Sequence, residues 1–189
     1  MTSALVLVEG RTRCTMVHME REVLAARLSE VAQLSGSFRL RSGKAASAYF
    51  DKYQFESDPG LLSAVAEAMV DLVPNDIDLL AGLELGGVPV ATAMSLVSGL
   101  PVVFVRKTAK EYGTAKLAEG PDIEGKRLLV VEDVITTGGQ VVSSTRQLRE
   151  RGAQVSTAAC VIDREEGGGA ALAEIGVTLT PLFRRPDIP

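Results

Sequence analysis

Apolar residues recur at helical spacing from about Glu20 to Leu34, where Val23, Leu24, Leu28, Val31 and Leu34 would line one side of a helix. Next, Phe38-Arg39-Leu40 and Tyr49-Phe50 flank the polar turn Arg41-Ser42-Gly43-Lys44, which predicts a hairpin. Asp58-Pro59 then supplies a capping side chain and a first-turn proline, and Leu61, Leu62, Val65, Met69 and Leu72 give the following helix its apolar face. Further along, Leu79–Leu83, Val102–Val105, Leu128–Ile135, Val155–Ile162 and Val177–Leu182 are short, almost unbroken apolar runs. Strands of that kind are buried on both faces, and helical stretches lie between most of them. The pattern predicts an α/β fold: a single doubly wound domain with a central parallel sheet flanked by helices, plus a small N-terminal hairpin. Residues 1–17 show no amphipathic pattern and are expected to form an N-terminal extension to a domain spanning 18–189. Gly167-Gly168-Gly169 is expected to be a mobile turn.

The stretch Leu128-Leu129-Val130-Val131-Glu132-Asp133-Val134-Ile135-Thr136-Thr137-Gly138-Gly139-Gln140 carries the most chemistry. An apolar strand delivers two acids to its end, where open α/β sheets bind ligands. The small residues behind them let backbone amides crowd inward, and Val141–Arg151 reads as a helix whose N-terminus favours a phosphate. Adjacent charges at a strand end are costly to dehydrate and call for partners. Carboxylates suit neutral hydroxyls or a metal and the amides suit a phosphate, a combination that a ribose 5-phosphate satisfies. No lysine follows the glycines and no G-x-G-x-x-G occurs, so the common nucleotide loops are excluded.

This segment resembles the phosphoribosyl diphosphate signature of type I phosphoribosyltransferases, with Gln140 standing where that family usually has a small residue. The resemblance implies that Glu132 and Asp133 hold the ribose hydroxyls while Val134, Ile135, Thr136, Thr137, Gly138, Gly139 and Gln140 wrap the 5-phosphate. After Val105, Arg106-Lys107-Thr108-Ala109-Lys110-Glu111-Tyr112-Gly113-Thr114 carries three basic groups and one acid and loses apolar periodicity, as a solvated, mobile loop would. Cations over a departing diphosphate could come from such a loop. Its spacing is similar to the catalytic loop of orotate phosphoribosyltransferases, which reaches into a neighbouring subunit. That similarity implies that Arg106, Lys107, Lys110 and Tyr112 contact phosphoribosyl diphosphate, Lys107 and Lys110 acting in catalysis with Asp133. Tyr112 stands where many relatives carry histidine.

A second glycine turn, Glu84-Leu85-Gly86-Gly87-Val88-Pro89, ends another strand and resembles the family's diphosphate loop, without the lysine that some members have there. The segment from Phe38 to Asp51 looks like the family's hood hairpin, which places Arg41, Tyr49 and Phe50 near the base. Asp163-Arg164-Glu165 follows the strand ending at Ile162, and an arginine there can grip a carboxylate with two hydrogen bonds. By resemblance, Arg164 and Thr136 contact orotate.

The implied activity is transfer of phosphoribosyl from 5-phosphoribosyl 1-diphosphate to orotate, with Mg2+ bound mainly through the substrate diphosphate and no metal ligands from the protein. A homodimer sharing the basic loop is implied as well. Two alternatives remain: a transferase for uracil or a purine, and a phosphoribosyl-diphosphate-sensing transcription regulator. At 189 residues, 46% hydrophobic and 23% charged, the chain has the composition of an ordinary soluble domain. Its net charge of −4 opposes bulk attraction to nucleic acid, and no apolar run approaches the length of a membrane span. A cytoplasmic location is expected. The only histidine, His18, and the widely separated Cys14 and Cys160 exclude a multi-histidine zinc site and a disulfide framework.

Overall fold

In the computed structural model, residues 19–39, 43, 45–108 and 117–189 are described. The expected extension at 1–17 and the site candidates Arg41, Lys110 and Tyr112 lie outside them.

Helix α1 (Arg21–Ala32) leads into an antiparallel hairpin of β1 (Gln33–Arg39) and β2 (Ala45–Phe50). The helix ends earlier than its spacing predicts, because Leu34 pairs with Tyr49 across the hairpin instead of continuing the turn. Leu24 and Leu28 face the core, but Val23 is 51% exposed, since Ala25, Ser29 and Ala32 occupy the buried stripe. A short α2 (Tyr53–Glu56) precedes α3 (Pro59–Val70). Asp58 caps α3 as its sequence predicts, accepting hydrogen bonds from the Gly60 and Leu61 amides at 2.9 Å each. Leu61, Val65 and Met69 are buried along it, while Leu72 falls beyond its last turn.

The sheet has the order β5-β4-β3-β6-β7-β8, from β3 (Leu79–Leu83), β4 (Val102–Val105), β5 (Ala118–Glu119), β6 (Arg127–Ile135), β7 (Gln154–Asp163) and β8 (Thr178–Arg184). All neighbours are parallel except the short β5. The crossover helices are α4 (Gly87–Ser98), α5 (Gly139–Arg149) and α6 (Gly168–Ala173). Alternation along β6 divides the core. Leu129 and Val131 pack with α1, α3 and α4, while Leu128 and Val130 pack with α5 and α6. That two-sided burial is why the strands read as continuous apolar runs. Cys160 lies wholly within the second layer, where burial pushes its thiol far up and leaves it inert.

From β3 the chain winds toward β4, and from β6 toward β7 and β8, so the winding reverses between β3 and β6. A crevice opens at such a reversal. Glu84-Leu85-Gly86-Gly87 and Glu132-Asp133 emerge there side by side, because Gly82 of β3 pairs with Val131 of β6.

Gly167-Gly168-Gly169 is not the mobile turn its composition suggests. Gly168 is buried at the start of α6, and a Cβ on it would meet Ile135 Cγ2 at 2.4 Å and the Thr136 carbonyl at 2.7 Å. Its lack of a side chain lets α6 close against the loop after β6.

Candidate active site

Strand β6 ends on its two acids, whose carboxyls come close enough to hydrogen-bond each other. Glu132 lines a cavity of about 410 Å3 formed with Val134 through Val141 and Ser143. Asp133 is 0% exposed. The two carboxyls form one group, with Glu132 at the cavity and Asp133 more deeply enclosed.

Helix α5 begins at Gly139, two residues before the sequence suggests. Its cap is Gly138, whose φ of 75° is a left-handed conformation that a glycine adopts without strain. Thr136, Thr137 and Gly139 are exposed at this turn, where free amides and the helix dipole together favour an anion. Gln140, the residue unusual for this position, sends its side-chain amide to Ser144 Oγ at 3.2 Å, one turn along α5. Its bulk is thereby folded back along the helix.

Lys52 Nζ reaches Asp133 Oδ2 at 2.6 Å and supplies the partner that a buried acid needs. Burial works to lower the Lys52 pKa, yet the charge and hydrogen bond of Asp133, with the charge of Glu132 behind them, leave it raised. Glu56, at the end of α2, joins the group. Burial first, then its hydrogen bond to Asp133 and that carboxylate's charge, push the Glu56 carboxyl up to about 9. Burial and the Asp133 charge likewise hold Glu132 well above the usual carboxylate range, with Lys52 and Lys107 pulling the other way. Neither Lys52 nor Glu56 was singled out by sequence. Only the Asp51-Lys52 polar step after Phe50 hinted that the chain turns inward there.

Glu56 makes stability depend on pH. The folded chain keeps a proton between 4.5 and about 9 that the unfolded chain has released, so this group's contribution falls as pH rises through that interval. Glu56→Gln removes the titration while keeping the shape. Thermal melts should show the variant gaining on the wild type as pH rises from about 6 to about 9, by on the order of 5 °C at the upper end. A constant difference across that range would show that Glu56 is not held protonated.

The glycine turn after β3 presses directly on this group. A Cβ on Gly86 would lie 1.5 Å from Asp133 Oδ2 and 2.9 Å from Glu56 Oε1, and one on Gly87 would lie 2.2 Å from the Val131 carbonyl. Glu84 Oε2 accepts the Lys107 amide at 3.0 Å, which fixes the root of the basic loop beside the turn. Lys107 is exposed, whereas Arg106 pairs with Glu119 at 3.3 Å.

A second cavity, of about 450 Å3, is lined by Gln33, Ala48, Tyr49, Phe50, Ile162, Arg164, Arg185, Ile188 and Pro189. Tyr49 is 46% exposed and stacks at a tilt on Phe38, with ring centroids 5.5 Å apart, so it is no core residue. Arg164 holds its guanidinium 5.9 Å over the Phe50 ring, with Glu166 4.0 Å away. Its Nε is buried and makes no hydrogen bond among the described residues, Glu166 lying at ion-pair distance only. The Arg164 amide donates to the Ile135 carbonyl at 2.8 Å, which sets this cavity immediately beside the anion turn. Thr136, expected both in the phosphate turn and at the base, lines the anion cavity. Arg185 is a second guanidinium that sequence reading passed over, since it lies in a short C-terminal turn with no motif around it.

Comparison with known proteins gives consistent matches. The phosphoribosyl transferase domain family matches residues 53–179. An orotate phosphoribosyltransferase from Nocardioides sp. is 53% identical over 165 residues, covering 87% of this chain and 92% of that protein. The crystal structure of Mycobacterium tuberculosis orotate phosphoribosyltransferase with Fe(III) dicitrate superposes with a TM-score of 0.81 at 31% identity, covering 89% of this chain and 98% of that one. The same enzyme in complex with 5-phospho-alpha-D-ribosyl 1-diphosphate gives a TM-score of 0.77 at 28% identity, with 89% and 98% covered.

Proposed function

The chain belongs to the orotate phosphoribosyltransferases of the phosphoribosyl transferase domain family, and from that premise we propose how its two cavities divide the reaction between them. The anion turn of α5 takes the 5-phosphate of phosphoribosyl diphosphate, Glu132 takes the ribose hydroxyls, and the Tyr49-Phe50-Arg164 cavity takes orotate. One observation carries this reading: an amide-rich helix start and an arginine-lined aromatic cavity lie on adjacent strand ends, joined by the Arg164 amide to Ile135 carbonyl hydrogen bond at 2.8 Å.

In the transfer, the bond from the anomeric carbon to the diphosphate oxygen breaks and the leaving group departs with the electron pair. The ring nitrogen of orotate forms the new bond at the same carbon, and its proton is released. Positive charge grows on the ribose while negative charge grows on the diphosphate, so fixed charges near each end lower the barrier. Lys107 and Arg106, rooted beside the Gly86-Gly87 turn, lie on the leaving-group side. Holding both reactants in adjoining cavities supplies the remainder through orientation. Magnesium, bound through the substrate's diphosphate oxygens, would neutralise the departing charge. The exposed Lys107 and the neighbouring Arg106, at the root of the basic loop, suit such a magnesium–diphosphate pair.

Orotate differs from uracil by a carboxylate, which the buried Arg164 Nε, without a hydrogen bond among the described residues, is suited to meet. Arg164→Ala should raise the KM for orotate by about 10- to 100-fold and leave the KM for phosphoribosyl diphosphate nearly unchanged. Steady-state kinetics with each substrate varied would show this, and equal losses for both would contradict a base-specific contact. The activity itself is tested by measuring diphosphate release with orotate, uracil, adenine, guanine and hypoxanthine. Orotate should be strongly preferred, and a purine preference would refute the assignment.

The homodimer is part of the same proposal. Leu85 at 58% exposure and Phe104 at 38% flank the root of the basic loop, and Leu96 on α4 is 84% exposed, a set of apolar side chains that a second subunit would cover. No helix among the described residues is long and apolar enough to cross a membrane. A cytoplasmic site of action suits two substrates whose charges keep them from crossing lipid, and cell fractionation would test it.

A further inference from the structure

We propose that Lys52 is a positioning residue for phosphoribosyl transfer, its ammonium locking Asp133 beneath the ribose-facing acid and tying the hood hairpin to the end of β6. The inference rests on the functional reading above and deepens it.

Lys52 follows β2 by two residues, and β2 carries the Tyr49 and Phe50 side chains that line the base cavity. From there it reaches across to Asp133 at 2.6 Å, and its own side chain remains 29% exposed while Asp133 is at 0%. The ion pair therefore spans from the base-binding element to the sugar-binding strand. Asp133 has little freedom otherwise, since Gly86 packs on its Oδ2 and its Oδ1 accepts the Val134 amide. Fixing Asp133 from both sides also fixes Glu132, whose carboxyl hydrogen-bonds to it, and Val134 after it, and both of these line the anion cavity. Glu56 completes the arrangement from α2, and Tyr53 places its ring 5.4 Å from the Lys52 ammonium. The raised pKa of Lys52 agrees with an ammonium that stays charged throughout. A surface lysine paired at random would be expected to meet an exposed acid, and such pairs contribute little. Here removal of the cation strands a fully buried carboxylate, which is costly.

The test compares wild type, Lys52→Met and Lys52→Arg in the full chain, using inorganic phosphate and ribose 5-phosphate as separate binding probes alongside turnover. Phosphate reports on the backbone amides of the α5 turn, which Lys52 does not touch. Ribose 5-phosphate adds the hydroxyls that Glu132 holds. Lys52→Met should bind phosphate as wild type does, bind ribose 5-phosphate about tenfold more weakly, and lose about tenfold in kcat per folded molecule. Lys52→Arg, which keeps the charge, should recover most of both losses. Equal weakening of the two probes, or unchanged kcat in Lys52→Met, would overturn the proposal. So would an Arg variant that folds but remains as impaired as Met. Failure of the wild type to bind ribose 5-phosphate or phosphoribosyl diphosphate would instead refute the functional reading beneath it.

Discussion

Lys107→Ala is expected to lower kcat by about 100- to 1,000-fold, the usual consequence of removing one fixed charge from a developing anion, while the melting temperature stays unchanged. The stability expectation follows from exposure: Lys107 is at the surface, and only its backbone amide is tied down, through Glu84 Oε2 at 3.0 Å. The catalytic expectation follows from position. The side chain leaves β4 beside the Gly86-Gly87 turn, close enough for its charge to act on Glu132. Substrate KM values should change far less than kcat, because a leaving group gains most of its charge at the transition state. Near-normal turnover would remove Lys107 from the mechanism. The same variant tests sharing between subunits. Mixed with subunits inactivated at Asp133, it should regain activity if the loop serves the neighbouring site, and no recovery would argue against that arrangement.

Gly86→Ala is expected to be the most damaging single substitution for both fold and binding. The added methyl would overlap Asp133 Oδ2 at 1.5 Å and its Cγ at 2.3 Å, and Asp133 is enclosed and cannot move aside. Relief requires breaking the Lys52 pair or displacing the turn. Disruption of a buried ion pair costs about 3–5 kcal/mol, which lowers the melting temperature of a domain this size by on the order of 10 °C. Affinity for phosphoribosyl diphosphate should fall by about 100-fold or more, because the acid end of β6 moves with the turn. Gly139→Ala is the control for fold: a Cβ there meets nothing within 4 Å, so the melting temperature should hold. A stable, active Gly86→Ala protein would mean that the turn and the acid group are not packed as described.

Strands were the most legible part of the fold. Leu79–Leu83 and Val102–Val105 end where their apolar runs end, and in Leu79–Leu83 burial on both faces leaves no room for a polar residue. Helix ends were less legible. Backbone pairing of Leu34 with Tyr49 stops α1, and the left-handed Gly138 starts α5 early, and neither event follows from hydrophobic spacing. The anion turn and Arg164 could be named because their chemistry sits in contiguous residues. The Lys52–Asp133–Glu56 group could not, since its members meet only when the hairpin, α2 and β6 assemble. Gly86 could be recognised as a turn glycine, but the carboxylate that excludes a side chain from it belongs to a distant strand.

The central claim is that the turn after β6 holds an activated ribose phosphate. Calorimetric titration of the purified protein with phosphoribosyl diphosphate and magnesium addresses it directly. The account predicts a saturable isotherm approaching one site per chain, weakened in Glu132→Gln. A flat titration, with heats no larger than dilution at millimolar ligand, would contradict it.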